Sequence, residues 1–324
     1  MAIAKRLLLA FALLLVPLAP VAHAETPVER HGQLRIDGTR LLDVHGQPVT
    51  LRGMSLFWSQ WIPRYYNEAT LRRLRDDWGI TVIRAALAVE HGGYLGNPEA
   101  EAAKIDRVVE AATKLGLYVI IDWHAHQPHP DDASAYFASV AAKYGDRPNI
   151  IYETYNEPLP EHGWATVLKP YHAKVVAAIR AHDPDNIIVL GTRSWSQDVD
   201  EAAADPVAGA NLAYTLHFYA ASHKQHYRDK AQAALDRGIA LFVTEYGTTQ
   251  ASGDESIDPA EAQIWWDWME ARGISYANWS IADKDEKSAI FRPGTSTDGR
   301  WRDTDITESG LLVRAQLRKM AGMK

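Results

Sequence analysis

Glu157 and Glu245 each close an apolar run. Ile150-Ile151-Tyr152-Glu153-Thr154-Tyr155 opens into Asn156-Glu157-Pro158, and Leu241-Phe242-Val243-Thr244 opens into Glu245-Tyr246-Gly247. A carboxyl group at the mouth of a buried strand can serve as acid, base or nucleophile. Cleavage of a glycosidic bond uses two of them: one protonates the leaving oxygen, and the other attacks the anomeric carbon or activates water. Either glutamate alone would pass for a surface ion-pair partner. Two of them at equivalent strand ends are harder to dismiss.

The elements that would position this pair alternate along the chain. Strand-like runs fall at Thr50–Ser55, Thr81–Ala86, Tyr118–Trp123, Ile150–Tyr155, Ile187–Leu190, Ala213–Phe218, Leu241–Glu245 and Ser275–Trp279. They are short, rich in β-branched residues and nearly continuous in hydrophobicity, as parallel strands buried on both faces must be. Amphipathic helices lie between them. Asn97-Pro98 and Asp258-Pro259 place a cap and then proline at two helix starts. Ile105, Val108, Val109, Ala112 and Leu115 share one face of the first of these helices. Eight strand–helix repeats without a Gly-x-Gly-x-x-Gly turn predict an α/β fold of the (β/α)8 TIM-barrel type rather than an open dinucleotide-binding sheet. Residues 32–48, with turns at Asp37-Gly38 and His45-Gly46, read as an N-terminal β-hairpin covering the barrel bottom.

In such barrels reactive groups stand at the C-terminal ends of the strands. Arg84 lies inside Val82-Ile83-Arg84-Ala85-Ala86. A buried guanidinium needs an anion, and Glu245 is the natural one. His124, His217, Tyr219, Asn278 and Trp279 end other strands. Taken singly, each histidine is as well explained by a structural hydrogen bond. A zinc site formed by His124, His126 and His129 is the competing idea. It lacks cysteine and the His-x-x-x-His helix that would support it.

Residues 1–24 read as a signal peptide: Lys5 and Arg6, the apolar stretch from Leu7 to Val16, then Ala22-His23-Ala24. The apolar stretch is short for a membrane span. Its removal would take the formal charge from −7 to −9. An acidic surface argues against nucleic acid or anionic membrane as partner and suits a neutral substrate. Cysteine is absent, which excludes disulfides and thiolate chemistry. Residues 25–324 are expected to form one catalytic domain. The 11 Trp and 14 Tyr supply either core or sugar-stacking surface.

At these strand ends the sequence resembles glycoside hydrolase family 5, the old cellulase family A, and within it the bacterial endo-β-1,4-glucanase branch. The resemblance rests on Arg52–Trp61, Val82–Ala86, Val119–His124, Ile151–Pro158, Tyr214–Tyr219, Phe242–Thr248 and Ala277–Ser280, in that order. It implies a secreted, monomeric, retaining endoglucanase, extracellular or periplasmic, acting on β-glucan without metal or cofactor. It also implies Glu157 as acid/base and Glu245 as nucleophile, with Asn156 on the sugar 2-hydroxyl. Arg84 and Tyr219 would hold the nucleophile, His124 and His217 would line the cleavage subsite, and Trp279 would be its platform. Trp61, Tyr94, Trp195, Ala251, Ser252, Lys284 and Glu286 resemble substrate-cleft positions. Two residues depart from the family pattern: Phe57 stands where many relatives have histidine, and Tyr246 where tryptophan is usual. On this reading Arg84 and Tyr219 lower the Glu245 pKa, and the surroundings of Glu157 raise its own. Mannanases, xylanases and mixed-linkage glucanases share the scaffold, and a non-catalytic carbohydrate-binding protein is the further alternative.

Overall fold

The apolar runs form strands, and the strands close on themselves. The structure is a computed structural model that describes residues 25–323, so the expected leader lies outside the described residues. A two-stranded hairpin, β1 (Arg35–Asp37) and β2 (Arg40–Leu42), precedes the barrel strands β3 (Arg52–Leu56), β4 (Val82–Ala88), β5 (Tyr118–His124), β6 (Ile150–Glu153), β7 (Ile187–Leu190), β8 (Leu212–Tyr219), β9 (Ala240–Gly247) and β10 (Ser275–Ile281). The closed order is β10-β3-β4-β5-β6-β7-β8-β9, with every pair parallel. This is the expected (β/α)8 barrel. Every residue of β4, β5, β6, β7, β9 and β10 is buried, which is why these runs lack an alternating pattern.

The hairpin does plug the lower end. Leu34 and Leu41 join Leu51, Val82, Tyr118 and Ile151 in a cluster separate from the main core. Tyr118 Oη donates to the Gly32 carbonyl at 2.7 Å. The helix Pro98–Leu115 packs on the barrel as its apolar face predicts, burying Ile105, Val108, Val109, Ala112 and Leu115. Its N-terminus is a correction. The Asn97 side chain makes no cap and instead donates to the Gly92 carbonyl at 3.1 Å. Asp258 does cap the helix Pro259–Glu270, accepting from Glu261 N at 3.0 Å. Among the described residues no helix is long and apolar enough to cross a membrane.

One strand junction tolerates no side chain. Gly53 pairs with Val82, and a Cβ on Gly53 would lie 1.9 Å from the Val82 carbonyl oxygen. Because that neighbour is backbone, relief requires separating β3 from β4. Gly53→Ala is expected to destabilise the fold by roughly 3 kcal/mol. Urea unfolding midpoints of the two proteins check this.

Candidate active site

Arg84 sits in the barrel interior with no exposed surface. Its Nε and Nη2 donate to Glu153 at 2.7 and 3.1 Å, Nη1 donates to Glu245 Oε2 at 2.9 Å, and Nη2 also lies 3.0 Å from Asp122 Oδ2. Nη2 further donates to Asn156 Oδ1 at 2.7 Å, and Nη1 faces Ser55 Oγ at 3.3 Å. The expected partner Glu245 is therefore one of three carboxylates. Asp122 and Glu153 escaped the sequence reading because each falls inside an expected apolar run, two residues before His124 and three before Asn156. Their signal was the presence of an acid in a fully apolar run. Three carboxyl groups around one guanidinium leave a deficit of positive charge. Burial, which outweighs Arg84 and is reinforced by the Glu153, Glu245 and Glu157 charges, drives the Asp122 pKa well up, whereas Arg84 and the His217 imidazole hold Glu153 low despite burial.

Glu245 reaches this layer because β9 carries an extra residue. Opposite β8, Thr215 and His217 pair with Phe242 and Glu245; opposite β10, Tyr276 and Asn278 pair with Val243 and Tyr246. Three residues of β9 thus match two on each side, a bulge that breaks alternation. As a result both Thr244 and Glu245 turn inward. Thr244 Oγ1 donates to Glu153 at 2.7 Å and faces His217 Nε2 at 3.0 Å, while Glu245 meets Arg84 and accepts from Tyr219 Oη at 2.8 Å. Tyr246 points outward, against Phe218, Trp266 and Tyr276. Its departure from the family pattern therefore falls in the core and not in the cleft.

Glu157 lies on the open side of this layer, with its side chain 16% exposed. Oε1 is 3.1 Å from His217 Nδ1 and Oε2 is 3.3 Å from His126 Nε2. One polar atom from each of Glu157, His217 and Glu245 lies within 4.8 Å of the other two, so the carboxyl groups face each other across a short gap. The resting electrostatics reverse the expectation. Burial would raise the Glu157 pKa, but hydrogen bonds from His126 and His217 outweigh it and hold the group down at about 2. Glu245 is raised, because burial and the Glu157 charge outweigh Arg84, His217 and Tyr219. The His217 ring faces acceptors on both nitrogens and is raised to about 9 against its burial. A resting proton therefore sits on imidazole.

The three histidines weighed for zinc are separated by their partners. His124 Nδ1 faces Asp122 at 2.6 Å, His126 faces Glu157, and His129 Nε2 faces Glu90 at 3.2 Å. Burial keeps His124 neutral. Its ring lies parallel to Trp279 at 5.2 Å and edge-on to Trp58 at 4.2 Å. Trp279 shares a wall with Phe57, 5.1 Å away, and the Lys284 ammonium stands over the Phe57 ring at 5.7 Å. Phe57 thus presents an apolar ring to this wall. Lys284 pairs with Glu286, and Gly253, beside Ala251 and Ser252, packs so closely that a Cβ would lie 2.6 Å from Glu286 Oε1. Tyr94 packs on Trp123 and Tyr136 and is half-buried there.

Two tryptophans stand out from the surface. Trp61 is 51% and Trp195 43% exposed. Trp195 is displayed by a turn in which Ser194, Trp195 and Ser196 all have φ of 56–57°. Left-handed backbone costs a non-glycine residue about 1 kcal/mol or more. Hydrogen bonds offset it: Trp195 N donates to Pro158 O at 2.8 Å, and Ser196 Oγ donates to Asn156 O at 2.6 Å. The turn is tied to the segment that carries Glu157.

A closed parallel barrel with two facing carboxyl groups at its C-terminal rim, flanked by exposed aromatic rings, defines a glycosidase-type site. The family model Cellulase (glycosyl hydrolase family 5) matches residues 42–285, and the chain belongs to this family. It is 45% identical to an endoglucanase of Clostridium saccharobutylicum over 88% of this chain and 65% of that protein, and thus spans about two thirds of that relative's length. It is 43% identical to endoglucanase N of Pectobacterium atrosepticum over 93% of this chain and 69% of that protein. A solved structure from Cytophaga hutchinsonii superposes with a TM-score of 0.91 at 52% identity, covering 92% of this chain and 98% of the other. The catalytic domain of Thermobifida fusca endoglucanase Cel5A superposes with a TM-score of 0.87 at 37% identity over 90% and 99%.

Two outcomes follow from this geometry. A Cβ on Gly247 would lie 2.2 Å from Tyr219 Cδ1, so Gly247→Ala must push the ring that holds Glu245. Its kcat should fall about tenfold or more, the loss expected when a hydrogen bond to a charged group is removed, with a smaller change in KM. Steady-state kinetics on a soluble glucan measure both. The raised His217 pKa stabilises the fold fully below its ordinary value of 6.5, and that stability is lost as pH rises through about 9. Unfolding free energy in urea should therefore drop by on the order of 2–3 kcal/mol between pH 6.5 and 9. His217→Gln should flatten this part of the profile.

Proposed function

We propose that this chain is an exported endo-β-1,4-glucanase that cleaves internal glucosidic bonds with retention of anomeric configuration. The observation that carries the reading is the short gap between Glu157 and Glu245. Retaining enzymes hold their carboxyl groups about 5–5.5 Å apart, and a wider gap is needed to admit water in a single displacement. Glu245 is the nucleophile because the permanent cation Arg84 and the Tyr219 hydroxyl both hold its carboxylate. Glu157 is the acid/base because its partners are imidazoles, which can give a proton back. Each carboxyl group's charge raises the pKa of the other, so protonation of Glu157 favours ionised Glu245. Glu157 then protonates the leaving oxygen as Glu245 bonds to the anomeric carbon. In the second step Glu157 takes a proton from water, whose oxygen displaces Glu245.

Other rim residues have roles consistent with this. Asn156 Oδ1 is committed to Arg84, which leaves its amide hydrogens for a sugar hydroxyl. His124, with Nδ1 turned to Asp122, leaves Nε2 for substrate beside Trp279. Exposed Trp61 and Trp195 suit the apolar faces of glucose rings on either side of the cut. Matched relatives named endoglucanases support the substrate class, as does a Thermobifida fusca relative, TM-score 0.86 at 37% identity, solved with cellotetraose. Export rests on the leader pattern of residues 1–24.

Glu245→Ala should lose turnover by several orders of magnitude, and azide should restore it with a product of inverted anomeric configuration, read by proton NMR. Full activity without azide would refute the nucleophile assignment. Release of short oligosaccharides from carboxymethylcellulose and barley glucan is expected. Cleavage of only glucomannan or xylan would assign the chain to the other substrate classes of this scaffold.

A further inference from the structure

His126 and Glu90 lie outside the residues to which the family resemblance gives roles, yet they contact the acid/base and its loop. Glu90 follows β4 by two residues, and its side chain is 14% exposed. Its Oε1 accepts from the backbone N–H groups of His126 at 3.2 Å and Gln127 at 3.0 Å, and faces His129 Nε2 at 3.2 Å. Oε2 accepts from His126 N at 3.2 Å. One carboxylate thus fixes the loop that leaves β5. The loop is held from the other side as well: Tyr155 Oη donates to His126 O at 2.9 Å, and Glu157 N donates to Ala125 O at 3.2 Å. The His126 ring lies over Trp58 at 5.5 Å, which leaves its Nε2 directed at Glu157 Oε2.

The two imidazoles on Glu157 are not equivalent. His217 is 1% exposed and takes Oε1 from inside the barrel; the His126 side chain is 31% exposed and takes Oε2 from the open side. Oε2 is therefore the oxygen turned toward the cleft, where a leaving sugar must be protonated. Rotation of the carboxyl group is fixed only when both oxygens are held.

We propose that His126 and Glu90 are positioning residues for the acid/base: Glu90 sets the loop after β5, and the loop sets His126 on the oxygen of Glu157 that delivers the proton. This rests on the reading of Glu157 as acid/base. A defect in proton delivery matters for a sugar leaving group and little for one that departs unprotonated. That distinguishes the proposal from a merely structural role.

The test compares kcat/KM on cellopentaose with kcat/KM on 2,4-dinitrophenyl β-cellobioside for His126→Leu, His126→Gln, Glu90→Ala and Glu157→Gln. His126→Leu should lose about tenfold on cellopentaose, as for removal of a hydrogen bond to a charged group, and less than about twofold on the activated substrate. His126→Gln, which keeps a donor at similar reach, should recover part of the loss. Glu90→Ala should show the same selective pattern with a smaller amplitude. Equal losses on both substrates, or none on cellopentaose, in His126→Leu would overturn the proposal while Glu157→Gln remains selective. A Glu157→Gln variant that loses both substrates equally would overturn the acid/base reading, and the proposal with it.

Discussion

A guanidinium without exposed surface is tolerable only where every N–H finds an acceptor and the charge finds a counter-charge. Arg84 meets that condition by drawing in groups from β3, β5, β6 and β9, together with Asn156 just beyond β6. The rest of the rim is arranged around it. Glu245 is placed because Arg84 holds it, Glu153 is placed by Arg84 and Thr244, and Asp122 passes the arrangement on to His124. Three acids on one base cannot all be ionised cheaply, so the cluster collects protons. Its protonation belongs to the group rather than to any one residue.

That collective behaviour explains why the strand-end reading misjudged the electrostatics of the two glutamates. Arg84 does touch Glu245, as read from the strand that carries it, and Tyr219 does so as the family resemblance implies. What the strand ends did not show was a second ring of partners. The His126 and His217 imidazoles lie on Glu157, and the carboxyl groups of Asp122 and Glu153 lie below. A pKa is set by every charge within a few ångströms, and those charges come from five strands and the loops that leave them, whose separations no linear pattern records.

The barrel itself was legible, because eight buried runs with helices between them have few other ways to hide both faces. Every strand limit agreed within two residues, β6 ending at Glu153 rather than Tyr155. The bulge in β9 was not legible. Val243-Thr244-Glu245 reads as ordinary strand, and only pairing with both neighbours reveals three residues matched to two. Without that extra residue Thr244 and Glu245 would face opposite sides, and one of them would be lost to the interior. The Asn97 side chain turns its Nδ2 to the Gly92 carbonyl and makes no cap.

The left-handed turn at Ser194–Ser196 carries a consequence for how such an enzyme could change its diet. Its Trp195 N–H and its Ser196 hydroxyl are fastened to the carbonyls of Pro158 and Asn156, on either side of Glu157. On the proposed reading, the exposed Trp195 surface and the acid/base Glu157 are therefore parts of one mechanical unit. A loop carrying Trp195 cannot be exchanged like a tool bit. Any replacement that relaxes the turn also unseats the blade, so new specificity on this side must come through substitutions that keep the three strained residues in place.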